Sequence, residues 1–332
     1  MFNFIVLRTQ IFHLGSRDKI FESSGLSKVK IREMSELIEF LNKLQPLDTF
    51  QVVAFPNVIL LCGGPSNNTT PSSFRNLLKN NDIFKNYIQP EDIKEWNQFD
   101  LYSDLLTFEE DLGSIISSVV LFVESEGSIA ELGAFSKIPS INDKLLVIID
   151  EKYYNQDSFI KLGPIKYLEN KCDNSIIVCD FLERGIFSEE KCKNCIPDVK
   201  TEIESFTKVF HKAKFNKDNI SHLSLLIYEI LTYFNILTLS EIKLIFKHLS
   251  ITVDTDILKR CFFLLDKMEL VLEKKYIRQN YYIPCKRSRY VKLAFQKNCF
   301  VDKSKFATEY IDNMPKNDNK YKAYIHFERT TL

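Results

Sequence analysis

Glycine runs out early in this chain. Nine are present, the last at Gly185, and the final 147 residues contain none. Glycine-dependent turns between strands and helices are therefore confined to the first part, and a different architecture is expected beyond it. The five histidines, at 13, 211, 222, 248 and 326, form neither an HExxH word nor a cluster, so a histidine-built metal centre has no pattern to rest on. No G-x-S-x-G elbow is present for a Ser-His-Asp hydrolase. The Gly63-Gly64-Pro65 turn lacks the Lys-Ser/Thr of a P-loop, which argues against an ATPase of that class. Long apolar runs are missing too. Nothing approaches the ~20 residues of a membrane span, and Arg8 interrupts the opening MFNFIVLRTQIF, so no secretory signal is expected. The eight cysteines are scattered, and only Cys192 and Cys195 have C-x-x-C spacing. With Cys179 in an apolar strand, no tetrahedral zinc set and no metal are expected. Without a signal segment the thiols are expected to stay reduced, in a cytoplasm.

What is present divides the chain in two. Apolar residues make up 45% of 332, which is ordinary for a folded protein and too long for one compact core. The charges cancel overall, with 44 basic and 44 acidic residues. Residues 1–200 hold 21 Lys and Arg against 29 Asp and Glu, whereas 201–332 hold 23 against 15. An acidic first part beside a basic second part predicts two tasks, the second at nucleic acid. The expected division is an α/β domain over 1–200, a small helical domain over 201–300 and a tail over 301–332 whose role the sequence does not assign.

In the first part, short apolar runs alternate with amphipathic stretches. Buried strands are expected at Val58–Cys62, Val119–Val123, Lys144–Asp150 and Ile176–Cys179, with helices from Ser72, over Asp104–Ser117 and from Ser128. Continuous apolar strands separated by helices predict a Rossmann-like parallel sheet covered on both faces. Ligands of such sheets sit outside the strand C-termini. Gly63-Gly64 and Glu124–Gly127 both follow strand ends, so they are expected to border one crevice. A further helix is expected over Val199–Ala213. Beyond 219, helical spacing recurs in His222–Phe234, Glu241–Leu249 (with Ser240 as the expected N-cap) and 256–268, followed by a β-hairpin over Leu270–Pro284. Three short helices and a hairpin predict a winged helix-turn-helix domain. Its third helix would enter the major groove and its wing would touch backbone. The basic candidates for nucleic-acid contact are Lys259, Arg260, Lys274, Lys275, Arg278, Arg287 and Arg289.

The word that carries chemistry is Glu124-Ser125-Glu126-Gly127-Ser128-Ile129-Ala130-Glu131-Leu132-Gly133. It sets a glycine turn at a strand end and a carboxylate, Glu131, a helical turn later. A nearby helix N-terminus favours the ionised form, and an ionised carboxylate suits attack on, or stabilisation of, an anomeric carbon. Gly63 and Gly64 would let backbone approach a substrate closely, and Arg75 would meet a phosphate. Glu124, Ser125, Gly127 and Ser128 complete the expected substrate-binding set by position.

Over roughly 55–150 this arrangement resembles the nucleoside 2-deoxyribosyltransferase-like superfamily. The resemblance implies that Glu131 is the catalytic glutamate. Ser125 stands where the transferases carry an aspartate, which favours simple hydrolysis of an N-glycosidic bond over transfer. Joined to a winged helix, the chain looks like the effector (toxin) proteins of bacterial retrons. The words Leu60-Leu61-Cys62-Gly63-Gly64, Phe74-Arg75, Phe108-Glu109-Glu110-Asp111-Leu112 and Phe122-Val123-Glu124-Ser125 belong to that likeness. It implies restraint by a complex of reverse transcriptase and its branched RNA–DNA (msDNA), released on phage infection. It also implies a nucleotide substrate: NAD, cleaved to nicotinamide and ADP-ribose, or a purine nucleotide. No cofactor and no membrane are implied, and pairing of such domains into a homo-oligomer is. The competing expectation is a non-enzymatic nucleic-acid-binding regulator with a nucleotide-sensing domain, which the serine at 125 favours.

Overall fold

In a computed structural model of the chain, residues 28–64, 73–80, 86–97, 101–193, 195–207 and 212–331 are described. Five parallel strands form the central sheet: β1 Ile59–Cys62, β2 Tyr87–Ile88, β3 Ser118–Val123, β4 Leu145–Asp150 and β5 Ile176–Cys179. Their order is β2-β1-β3-β4-β5. β3 and β4 are buried along their whole length. This is why they read as unbroken apolar runs: both faces need cover. Alternate residues serve opposite faces. Val119, Leu121 and Val123 join the larger core. Val120 and Phe122 join the smaller one, with Phe74, Leu77 and Leu78 of α2 (Phe74–Asn80). Helix α1 (Lys28–Asn42) sends Leu37, Phe40 and Leu41 into the larger core.

The other helices of the first part fall near their expected places, with local corrections. α3 is Leu105–Ile115, capped by Asp104, and α4 is Glu126–Phe135. The helix expected over Val199–Ala213 is α5, Ile196–Phe206, which starts with proline in its first turn. It gives way to a short strand at Ala213–Lys214. That strand and Val291–Lys292 flank Gln51–Val52 in a small antiparallel sheet, so the second part of the chain pairs directly with the first.

Beyond it, α6 (Ile220–Phe234), α7 (Leu239–His248) and α8 (Thr255–Lys267) precede the hairpin β6 (Val271–Tyr276) and β7 (Gln279–Pro284), and Leu237 bridges to Tyr282. Thr238, not Ser240, caps α7. Its hydroxyl accepts from Glu241 N while the Glu241 carboxylate accepts from Thr238 N, a reciprocal box that Ser240, already inside the helix, comes too late to make. α6 is buried from Ser221 to Phe234. It lies between α3, α8 and α9 (Lys303–Asp312), and its Glu229 is matched by Lys303 at 2.7 Å. The tail thus folds as α9 and α10 (Asn319–Thr331) on the same core, where buried Lys320 donates to Glu241 at 2.5 Å. No helix among the described residues is long and apolar enough to cross a membrane.

Candidate active site

The sheet order reverses between β1 and β3, so the chain leaves these neighbours in opposite directions and opens a crevice at their C-terminal ends. Gly63 ends β1 with φ +146°. A Cβ there would lie 2.8 Å from Phe122 Cβ and 2.9 Å from Phe122 O, so only glycine lets β1 and β3 finish this close together. At Gly64 a Cβ would stand 3.3 Å from Glu124 Cβ.

Three of the expected substrate contacts turn out to hold the crevice together. The Glu124 carboxylate accepts from Phe74 N at 2.5 Å and Arg75 N at 3.0 Å, capping α2 from across the sheet end. Burial still pushes its acid up to about 7, against the pull of those donors and of Arg75. Ser125 is the N-cap of α4 and accepts from Ser128 N. The buried Ser128 hydroxyl accepts from Glu124 N and Ser125 N, both at 2.9 Å, and donates to Ser125 O at 2.8 Å. These contacts fill the Ser128 hydroxyl, so the expected substrate contact at that residue is replaced by a cap. Gly127 lies exposed in the first turn, where a Cβ would meet nothing nearer than 3.8 Å.

Arg75 is the clearest correction. Instead of waiting at the surface for a phosphate, it is 1% exposed. Its Nη1 donates to Leu61 O at 3.1 Å, and its Nη2 to Gly64 O and Glu91 Oε1, both at 2.5 Å. The guanidinium ties β1, the glycine turn and the 3₁₀ turn Pro90–Asp92 to one another.

This frame presents Glu131 from the second turn of α4. The residue is half-buried, and Oε2 is buried without a hydrogen-bond partner among the described residues. Burial outweighs the helix-terminus effect: it pushes the carboxyl up to about 7, helped by Glu91 and opposed by Arg75. Two more groups were missed by sequence reasoning. Glu109 of α3 is 6% exposed, and burial, then the charges of Glu131 and Glu91, push it up to about 8. Its signal was an acidic residue beside Phe108 and three before Leu112, within the apolar stripe of the helix. Gln89 follows β2 and is fully buried. Its Nε2 donates to Asp92 at 3.0 Å, and its Oε1 has no partner. Among the described residues five buried side-chain polar atoms lack partners, and Glu131 Oε2, Arg75 Nε and Gln89 Oε1 are three of them. Each such group costs about 1–3 kcal/mol, so these unpartnered atoms, on residues that end or follow neighbouring strands and turns, mark this sheet end as the candidate site.

The basic candidates of the second part separate. Lys275, Arg278 and Arg289 are exposed, the first two at the hairpin tip. Lys274 lies over the Phe327 ring at 5.6 Å, Arg287 donates to Asn235 at 2.9 Å, and Lys259 pairs with Asp256 at 2.8 Å. Arg260, expected to meet nucleic acid, is instead turned onto α3 and paired with Asp111 at 2.5 Å.

With this geometry established, comparison with known proteins places the chain. The family model for the STM3845 retron effector protein matches residues 71–274, more than half of the sequence. The chain belongs to this retron effector family. Two curated relatives from Escherichia coli are similar to it. "Retron Ec86 putative ribosyltransferase/DNA-binding protein" is 32% identical over 166 residues, covering 47% of this chain and 50% of the relative. "Retron Ec73 putative ribosyltransferase/DNA-binding protein" is 31% identical over 124 residues, covering 35% and 39%. The chain thus spans half or less of the length of these relatives in the matched segments. A solved structure, Drosophila ORC bound to AT-rich DNA and Cdc6, aligns over 91% of this chain and 95% of its own at 12% identity, and its TM-score of 0.18 bears on no feature of this effector. The family match takes in β3, Glu131, Glu109 and α6–α8.

Proposed function

We propose that this retron effector hydrolyses the N-glycosidic bond of a nucleotide metabolite, with Glu131 at the anomeric carbon. NAD is the favoured substrate and a purine nucleotide its rival. The observation that carries the reading is the Glu131 carboxyl: held by a capped helix at the sheet's switch point, half-buried, with one oxygen unpartnered. The printed names of the Escherichia coli relatives, with their ribosyltransferase term, support a reaction at ribose C1′.

In this mechanism the C1′–N bond breaks and its electron pair leaves with the base. Glu131, ionised, bonds to or stabilises the cationic sugar, and water completes the reaction at C1′. Glu109, which burial pushes up to about 8 and so keeps mostly protonated at neutral pH, would give a proton to a leaving purine. Nicotinamide needs none, because its ring nitrogen is already cationic in NAD. Ser125 serves as a helix cap where the transferases have an aspartate, which fits hydrolysis. The elements α6–α8 with the hairpin act as a winged helix whose wing, through Lys275 and Arg278, meets the msDNA of a restraining reverse transcriptase complex. Chromatography of NAD, ATP and dATP incubated with the purified protein tests the reading. Free base is expected from one of them, and Glu131→Gln should lower the rate about 1,000-fold. A Glu131→Gln rate equal to wild type would overturn it.

A further inference from the structure

α3 carries three consecutive acids, Glu109, Glu110 and Asp111, of which the first and third are buried on different faces. Glu109 and Asp111 are two residues apart, so they cannot face the same way on a helix. Glu109 is the buried acid whose charge couples to Glu131. Asp111, 6% exposed along its side chain, accepts from Arg260 of α8 through Nε at 2.8 Å and Nη2 at 2.5 Å. The guanidinium also lies 5.1 Å from the Tyr102 ring. Along the same face of α8, Phe263 packs edge-on to Tyr102 and Phe108 at 5.9 and 6.2 Å, and Lys267 reaches Glu95 at 3.2 Å. Phe108, the neighbour of Glu109, is in turn stacked on Trp96 at 5.8 Å. Residues 260, 263 and 267 form one stripe of α8, so the helix expected to read nucleic acid has spent that stripe on α3 and on Glu95 and Tyr102, which precede it.

From this contact we infer that Arg260 is a positioning residue: by gripping Asp111 it fixes α3, and so holds Glu109 beside Glu131 in the active site. The C-terminal part thereby governs the proton chemistry of the N-terminal part. The charges felt at Glu109 are those of Glu131 and Glu91, and the buried Cys62 thiol feels Glu109 in turn; none of these groups belongs to α8. Arg260 therefore acts on Glu109 through the placement of α3 rather than through its own field at the site.

The inference rests on the proposed hydrolysis, and the test separates the two. Rates of purine release from ATP or dATP, whose base needs a proton to leave, by wild type, Arg260→Ala, Arg260→Lys and Asp111→Asn are measured against pH, alone and in a Glu109→Gln background, with unfolding midpoints recorded for each. Arg260→Ala is expected to lower kcat about tenfold or more with KM within about threefold, and to move the alkaline limb to lower pH. Arg260→Lys, which keeps the charge, should recover most of the rate and serves if the alanine variant does not fold. In the Glu109→Gln background, Arg260→Ala should add less than about twofold. Wild type that releases purine, with Arg260→Ala or Asp111→Asn unchanged in limb and kcat, with Arg260→Lys no faster than a folded Arg260→Ala, or with full additivity to Glu109→Gln, overturns the positioning role, as does wild type that releases nicotinamide alone. Wild type that releases no base from NAD, ATP or dATP overturns the hydrolysis itself.

Discussion

Replacing Glu109 with glutamine separates the two carboxyls by a sign that can be worked out in advance. Glu131 must be ionised to act on C1′, and its acid lies at about 7, so the rate should rise with pH up to that value. At pH 5, two units below, only about 1% is ionised and the rate should be about 100-fold under its plateau. Glu109 must be protonated to donate, and lies at about 8, so a reaction that needs its proton should decline above that pH. The wild-type profile for a purine nucleotide is then a narrow bell between 7 and 8. The two acids are not affected symmetrically. Glu109 titrates after Glu131 and feels its charge. Glu131 titrates while Glu109 is still neutral, and its shift comes from burial, Arg75 and Glu91. Glu109→Gln should therefore leave the acidic limb at about 7, erase the alkaline limb and lower purine release about 100-fold or more. For NAD, whose base leaves without a proton, the same variant should lose less than about tenfold. Initial rates of base release from pH 5 to 9.5 decide the matter. An alkaline limb that survives Glu109→Gln, or a rate at pH 5 within threefold of that at pH 7, refutes the assignment.

Gly63→Ala should destabilise the fold by about 2–5 kcal/mol, since its Cβ meets Phe122 backbone and its φ disfavours any side chain; a urea midpoint shift worth under about 1 kcal/mol would show that the turn relaxes. Glu109, Glu124 and Glu131 are all raised on folding, so the folded state holds more protons than the unfolded one between about pH 4.5 and 8, and stability should be full below that range and fall as pH rises through it. Thermal midpoints should drop from pH 5 to pH 8, and Glu109→Gln should flatten that slope; an unchanged slope would mean the acid is not raised. At the hairpin, Lys275→Ala and Arg278→Ala should each reduce the slope of log affinity against log salt for single-stranded or duplex DNA by about 1 if each meets a phosphate, and equal slopes for variants and wild type would remove the wing from the interface.

The parts of this molecule set by local pattern were readable before any coordinates. β3 and β4 announced themselves by unbroken apolar runs, the Gly63 turn by a glycine pair at a strand end, and Glu131 by its place one turn into the helix after β3. What was hidden depends on partners far away in sequence. Arg75 read as a phosphate contact at a helix start because nothing local says that Leu61 O, Gly64 O and Glu91 will converge on it. Glu109 looked like one more charge in an acidic run, since its burial is decided by the sheet end it faces. α6 read as an amphipathic helix, yet Ser221, Ser224, Glu229 and Thr232 are buried with its leucines. Ser224 and Thr232 return their hydroxyls to the helix's own carbonyls and Glu229 meets Lys303. Polar residues satisfied in this way are compatible with burial on every side, and periodicity alone does not reveal it.

The serine at 125 and the acid at 109 belong to one argument. An aspartate at 125 could cap α4 or present a carboxyl to a substrate, and serine restricts that position to the cap, which Ser128 completes. With Glu124 spent on α2, the strand side of the crevice leaves Glu131 as the carboxyl for the proposed reaction. Any proton needed by a leaving base must come from elsewhere, and Glu109 is the neighbouring acid raised enough to hold one at neutral pH. That moves the proton chemistry from the sheet to α3, the helix gripped by α8 through Asp111 and Arg260. On the proposed reading, in which a partner bound to the C-terminal part restrains the reaction, a path from that part to the chemistry is needed. Here the path is short: one helix, with the acid on one face and the grip on another, so a partner that displaced α8 would act on the reaction itself and not only on access to it.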